Sequence, residues 1–291
     1  MHFHDTDTAR RRRNLCGAGG ALLASLLGLV PLAAAQDEAG APMVVAAPTP
    51  QPLRARSADD ETSKAVRSAL ADASSGKRAA QKLDGAAKSE ALAAVAADYG
   101  RIADDEAFPP AGRAEAAFRG GDILRGLKRL PDAEAQFRRA VELGEPNDDG
   151  REFAARGLLE LAHIKRRAKD VPAALELYAQ VASRFADQRR TAAHAATWTG
   201  KLLLKSGDRE KGAAALMDFA TTWPEYPTEA VRNADLVAVD QVEAGDEAAA
   251  QITVNKIRAV MEPVIAKGGK QAEAVQKALD AMRATELLAG Y

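Results

Sequence analysis

"KSGDREKGAAALMDFATTWPEYP", residues 205–227, decides the fold. It reads as a turn around Gly207 and Asp208, then a helix, then a firm stop at Trp223 and Pro224. The helix carries Gly212 in its interior, where glycine costs about 1 kcal/mol relative to alanine. A chain keeps such a residue where another backbone must come close. Twelve residues back stands Gly200, and four residues on stands the bulky Leu216. The same spacing occurs upstream in Gly121, Ala133 and Phe137, and again in Ala162, Ala174 and Tyr178. Two antiparallel helices on a short turn meet closely only through small residues, and a large side chain one turn later fills the neighbouring gap. The pattern therefore predicts stacked helical hairpins.

The three units are "AEAAFRGGDILRGLKRLPDAEAQFRRAVEL" (114–143), "ARGLLELAHIKRRAKDVPAALELYAQVA" (155–182) and "AAHAATWTGKLLLKSGDREKGAAALMDFATTWP" (192–224). The turns "RLPD", "KDVP" and "SGDR" hold corresponding places. In these features the chain resembles the tetratricopeptide repeat family. The anchors Ala133, Ala174 and Gly212 fall 41 and 38 residues apart, against a family period of about 34. The excess sits in "GEPNDDG" (144–150) and "SRFADQRR" (183–190), and the family's tryptophan slot holds Ala117, Leu158 and Ala196. The resemblance implies an all-α, right-handed α-solenoid of antiparallel helix pairs over residues 107–291. A fourth pair is expected at 229–263 and a closing helix at 270–289. Trp223 is expected to plug the joint between units, and both tryptophans, Trp198 and Trp223, are read as packing residues.

Upstream the character changes. Residues 10–13 are four arginines, 15–32 an apolar run, and 33–35 three alanines before Gln36. This is the layout of an export signal over residues 1–35, and Arg12-Arg13 resembles the twin-arginine type. The single cysteine, Cys16, follows the arginines instead of the apolar run, so no lipid anchor is expected, and the processed chain has no thiol chemistry. The expected location is periplasmic or secreted. Residues 36–58, with Pro42, Pro48, Pro50 and Pro52, read as a disordered linker. Residues 59–106 read as a disordered or helical arm, marginal at its start, with a degenerate half-repeat at 90–107. No stretch alternates as a half-buried strand does.

Without residues 1–35 the chain has 36 basic and 39 acidic residues, a net of −3. Nucleic acid is thereby excluded as the main partner, and no transmembrane segment is expected after signal removal. Catalytic chemistry finds little footing. His163 and His194 have no second ligand at metal spacing, and no cofactor is expected. Residues 147–150, "NDDG", resemble a calcium loop only superficially, because the alternating ligands and closing glutamate are missing. They read as a loop whose Asp148 or Asp149 caps the next helix.

In this family the first helix of each pair lines the concave surface. Projecting that face selects Glu115, Phe118, Asp122 and Arg125, then Arg156, Leu159, His163, Arg166 and Arg167, then His194, Thr197, Lys201, Leu204 and Lys205. Of these, Arg125, Arg156, His163, Arg166, Arg167, Lys201 and Lys205 are the candidate partner-binding residues. Such a face would attract a protein or peptide with an acidic segment or a C-terminal carboxylate. The charge resembles the family's carboxylate clamps, but Asp122, His163 and Lys201 replace the clamp asparagines. The bland alternative is a set of solvated cations snorkelling over apolar neighbours. The expected function is a non-catalytic interaction scaffold of the bacterial cell envelope. Its layout resembles that of the repeat protein associated with the Tol–Pal system. Two alternatives stand beside it: a cell-wall enzyme or its helical scaffold domain, and a structural oligomer held by an N-terminal coiled-coil arm. The sequence does not set the oligomeric state.

Overall fold

The computed structural model describes residues 53–290. The export signal at 1–35 and the linker up to residue 52 lie outside the described residues. Every described element is helical. In chain order they are α1 (Leu53–Ala80), α2 (Gly85–Asp104), α3 (Pro110–Gly126), α4 (Leu130–Gly144), α5 (Arg151–Arg167), α6 (Val171–Arg184) and α7 (Arg189–Ser206). Then follow α8 (Arg209–Met217), α9 (Phe219–Thr222), α10 (Pro227–Glu243), α11 (Glu247–Ala266), α12 (Gly269–Asp280) and α13 (Arg283–Ala289). From α1 to α12 each helix packs on the next, α13 packs on α10 and α11, and α1, α3, α5 and α7 also touch in succession. The fold is an all-α solenoid of antiparallel helix pairs, tetratricopeptide-like in its construction.

The small–small–large contacts are what hold each pair together. A Cβ placed on Gly200 would lie 2.5 Å from Leu216 Cγ, and one on Gly212 would lie 2.6 Å from the Leu204 backbone nitrogen. A Cβ on Gly121 would lie 2.8 Å from the Phe137 ring. Ala133, Phe137, Ala162, Ala174 and Tyr178 are all fully buried. Ala238, Ala250 and Val254 repeat the spacing a fourth time, and all three are buried. The glycine at 212 thus gives up helix propensity for a backbone approach that no other residue permits.

The turns repeat as closely as the contacts. Lys128, Lys169, Gly207 and Gly245 each stand five residues before the second small anchor, and each has a positive φ, of 62°, 63°, 97° and 81°. The next residue's N–H then donates back to a carbonyl five residues earlier: Arg129 to Leu124, Asp170 to Lys165, Asp208 to Leu203, and Asp246 to Gln241. This is the Schellman closure, which favours glycine at the left-handed position. Two of the four turns hold lysine there. Lys128→Gly and Lys169→Gly are expected to raise unfolding stability by about 0.5–1 kcal/mol each. Urea denaturation measures the gain, and a loss of stability would mean that the lysine side chains contribute more than the strain they carry.

Consecutive pairs are latched by arginine. Arg151 stacks over Phe185 at 5.3 Å, and it donates to the Arg184 carbonyl and to both carboxylate oxygens of Asp187. One unit later Arg189 stacks over Trp223 at 4.3 Å, and it donates to the Thr222 carbonyl and to Glu225. The sequence offsets are the same in both latches. Trp223 is buried and plugs the joint between units as expected.

Two expectations change. Residues 148–150 form a 3-10 turn, and α5 starts from Gly150 with no side-chain cap from Asp148 or Asp149. The cause is a backbone crossing: a Cβ on Gly144 would lie 2.5 Å from the Gly150 carbonyl oxygen, so the loop is placed by contact between glycines. The closing helix is two helices, α12 and α13, which break around Met282. There the Ala284 N–H donates to Asp235 on α10 at 3.0 Å. Upstream, α1 begins at Leu53, and from Val66 to Ala73 it buries its apolar residues in the same core as α2 and α3.

The buried side chains form two clusters that meet on α7. Ala195 and Leu202 belong to the cluster of α1–α7, whereas Ala192 and Ala193 belong to the cluster of α9–α13. After α7 the next first helix, α10, packs chiefly against its own partner α11 and, toward the preceding units, against α8 and α9. The groove described next lies where that change occurs.

Candidate functional site: a basic groove between α5, α7 and α10

A groove of ≈ 1050 Å³ runs between three successive first helices. Glu152, Arg156 and Leu159 line it from α5, and Arg190, His194, Thr197, Trp198 and Lys201 from α7. Glu229, Arg232 and Asn233 line it from α10, with Phe219 and Tyr226 beneath. The first helices present alternate small and polar residues because their small anchors turn toward the second helix of the pair. What remains on the other face, one turn away, is His194, Thr197 and Lys201.

Trp198 is the centre of the site. Arg166 lies over its ring at 4.0 Å and Lys201 at 5.2 Å, and its Nε1–H donates to His194 Nε2 at 3.1 Å. The His163 ring meets it edge-on at 5.5 Å. His163 is itself buried, with Nδ1 2.7 Å from the hydroxyl of fully buried Tyr178. Trp198 packs, partly buried, against the core of α1–α7, and its remaining surface forms the floor of the groove.

Burial is the first cause of every shift at the site, and neighbouring cations add to it for Lys201 and the two histidines. Burial lowers the Lys201 pKa, and Lys205 and Arg232 lower it further. Burial also lowers that of His194, with Lys201 and Arg190 adding to the effect. His163 falls to about 3, first through burial and then through His194, Arg166, Arg167 and Arg125. Tyr178 is pushed up to about 12 by burial and keeps its proton. Each of these cationic neighbours disfavours further positive charge, and an anion in the groove would relieve them together.

The seven residues selected from the sequence divide. Arg156 and Lys201 line the groove. Arg156 also pairs with Glu152 at 3.2 Å and lies over Phe118 at 4.4 Å. His163 and Arg166 lie behind the wall, supporting Trp198. Arg167 and Lys205 are exposed at the ends of α5 and α7, outside the groove lining. Arg125 does not join the others. It is paired with Asp122 at 2.5 Å and with Glu160 at 3.2 Å, while Lys77 of α1 approaches Asp122 at 3.6 Å. Its charge is already met by two carboxylates on adjacent first helices.

Three residues absent from that selection belong to the site. Arg190 lines the groove with no carboxylate in ion-pair range among the described residues, and Arg232 has only Glu229, at 4.0 Å. Asn233 is 2% exposed and donates from Nδ2 to Thr197 Oγ1 at 3.0 Å, which bridges α10 to α7. Its register carried a signal. Five residues before the first anchor the other units hold Ala116, Gly157 and Ala195, so an asparagine there is out of pattern.

Among the described residues no three His, Cys, Asp or Glu side chains are grouped to hold a metal ion. No described helix is long and apolar enough to cross a membrane. The groove offers cations, an aromatic floor and amide and hydroxyl groups, which is the chemistry of holding an extended anionic chain.

No family model matches this chain, and no curated protein sequence matches it. Among solved structures, BtubC (BKLC) from P. vanneervenii is similar at 14% identity and a TM-score of 0.47, with 69% of this chain and 92% of that one covered. MamA from residue 41 to its end, from Desulfovibrio magneticus RS-1, is similar at 17% identity and a TM-score of 0.43, with 66% of this chain and 96% of that one covered. At these identities the likeness is one of fold alone. The tetratricopeptide-like construction rests on the chain's own small–small–large contacts.

Proposed function

We propose that this protein is a non-catalytic interaction scaffold of the bacterial cell envelope. It holds an acidic segment of a partner protein in the groove between α5, α7 and α10. One observation carries the reading: Arg190, Lys201 and Arg232 converge on a groove whose polar floor includes the buried Asn233, in a chain whose net charge is negative. Cations gathered against the overall charge of a molecule mark a surface with an anionic partner. Placement in the periplasm or outside the cell rests on the arginine-led apolar segment at 1–35. The route of export is the twin-arginine one on this reading. The partner's acidic charge can be carried by side chains or by its terminal carboxylate, since both present the same group to the cations.

Reversing Arg190, Lys201 and Arg232 together to glutamate is expected to cut recovery of the envelope partner in pull-downs at least about hundredfold, while helicity by circular dichroism stays unchanged. Undiminished recovery with intact helicity would reduce the basic face to solvated surface. Arg166 is left in place because it supports Trp198, and its loss would disturb the floor as well as the charge. For the location, a chain starting at Gln36 is expected to remain in the cytoplasmic fraction. Export of that shortened chain would refute the signal.

A further inference from the structure

An indole N–H donates and never accepts. The bond from Trp198 Nε1 to His194 Nε2 therefore requires a lone pair on Nε2, and His194 must be the neutral ring with its proton on Nδ1. A protonated His194 would turn a second donor toward the indole and lose this bond. His163 is protected from the same event, because it is buried and its Nδ1 is engaged by Tyr178. His194 is exposed at the groove wall, so a proton can reach it.

We propose that His194 and Trp198 make the groove proton-linked: protonating His194 breaks its bond from the indole and adds a cation beside Arg190 and Lys201, so that an acidic segment binds more tightly in mild acid. This rests on the groove reading given above and names how that site is regulated.

The groups that face His194 settle the sign. On its own helix α7 they are Arg190 and Lys201, with Trp198 one turn on. From α5 come His163, whose ring centroid is 5.6 Å away, and the groove residues Arg156 and Glu152, which pair with each other. From α10 come Arg232 and Glu229 across the groove. Burial first, and then Lys201 and Arg190, oppose a proton on His194 while the groove is empty, which keeps it neutral near pH 7. A polyanion lying against those same cations cancels their field, and protonation then becomes favourable. Binding therefore takes up a proton, and by reciprocity acid strengthens binding. The same event frees the Trp198 ring from its acceptor, so the indole reports protonation directly.

The test uses the full chain, a fluorescein-labelled octa-aspartate peptide as probe, and tryptophan emission as a second readout. Between pH 7.5 and pH 5.5 the wild type is expected to gain up to about tenfold in affinity. Over the same range its Trp198 emission shifts, with the Trp198→Phe variant as the reference for Trp223. His194→Gln can still accept from the indole but cannot be protonated in this range. It is expected to bind with an affinity independent of pH and to show no emission shift. Equal pH dependence in wild type and His194→Gln would overturn the linkage while the groove reading stands. Absence of peptide binding at every pH, with emission that still titrates through His194, would overturn the groove reading and the linked affinity with it.

Discussion

Gly212→Ala is expected to destabilise the protein by 3 kcal/mol or more (about the upper range for overpacking), although alanine is the better helix former by about 1 kcal/mol. The reason is what the new methyl would meet. It would lie 2.6 Å from the Leu204 backbone nitrogen and 3.0 Å from the Gly200 carbonyl oxygen. Neither atom can rotate away, so α7 and α8 must move apart and uncover Leu216. Gly200→Ala makes the contrast. Its methyl would meet Leu216 Cγ at 2.5 Å and Cδ2 at 2.7 Å, which are side-chain atoms. We expect about 1–3 kcal/mol there. Much of the clash should be relieved when Leu216→Ala is added, so the pair is less destabilised than the two changes summed. Leu216→Ala should give no such relief to Gly212→Ala. Urea denaturation of the three single and two double variants measures this. A Gly212→Ala protein as stable as wild type would mean that the two helices do not meet through their backbones.

Stability is also expected to fall in acid well before most carboxylates titrate, and His163 is the main cause. Its folded pKa is about 3, against 6.5 in the unfolded chain. Above pH 6.5 both states hold the ring neutral and the contribution is complete. As pH falls below that value the unfolded chain takes up a proton that the folded one refuses, so stability drops until pH reaches about 3. Full linkage of that shift would be ~5 kcal/mol, and solvent screening reduces it to about 2–3 kcal/mol. His194, lowered by the same field, acts in the same direction. Glu145 and Glu225, whose pKa values are held down by Arg184 and Arg189, lose their contribution as pH falls from the ordinary value of 4.5 toward the lowered folded one. Between pH 7 and pH 4.5 Glu160, whose carboxyl burial pushes up, titrates as well and acts in the opposite direction, so thermal melts there are read as the difference between wild type and His163→Gln. His163→Gln should be less stable at pH 7, since Tyr178 loses its partner, but its melting temperature should vary less over that range. A slope equal to that of wild type would show that the buried ring is protonated in the folded state.

The contacts of the hairpins were legible because they depend on size and spacing alone. Gly200, Gly212 and Leu216 lie within one hairpin, and their distances in sequence fix their distances in space once both segments are helical. The turns were half legible. Gly207 and Gly245 announce a left-handed residue, whereas Lys128 and Lys169 adopt the same conformation with no such mark. The latches of Arg151 and Arg189 were not legible at all, since each joins residues 33 to 36 positions apart through the packing of one pair on the next.

The candidate site shows the same division. Of the seven residues read from the sequence, Arg156 and Lys201 line the groove, whereas Arg125 does not, and Arg190, Arg232 and Asn233 were left out. Arg125 is neutralised by Glu160, which reaches it from the neighbouring helix, and Asn233 meets Thr197 from a different pair. Helical periodicity says which side chains share a face; it is silent on which carboxylate from another helix stands opposite. The sequence by itself determined the helices, their pairing and the side that carries charge, because local sterics and short loops leave few alternatives. Only the tertiary structure decided which cations remain unpaired, where the first helices diverge into a groove, and that Trp198 forms its floor. Those outcomes depend on the angle between successive pairs, and that angle is set by many weak contacts between residues far apart in the chain.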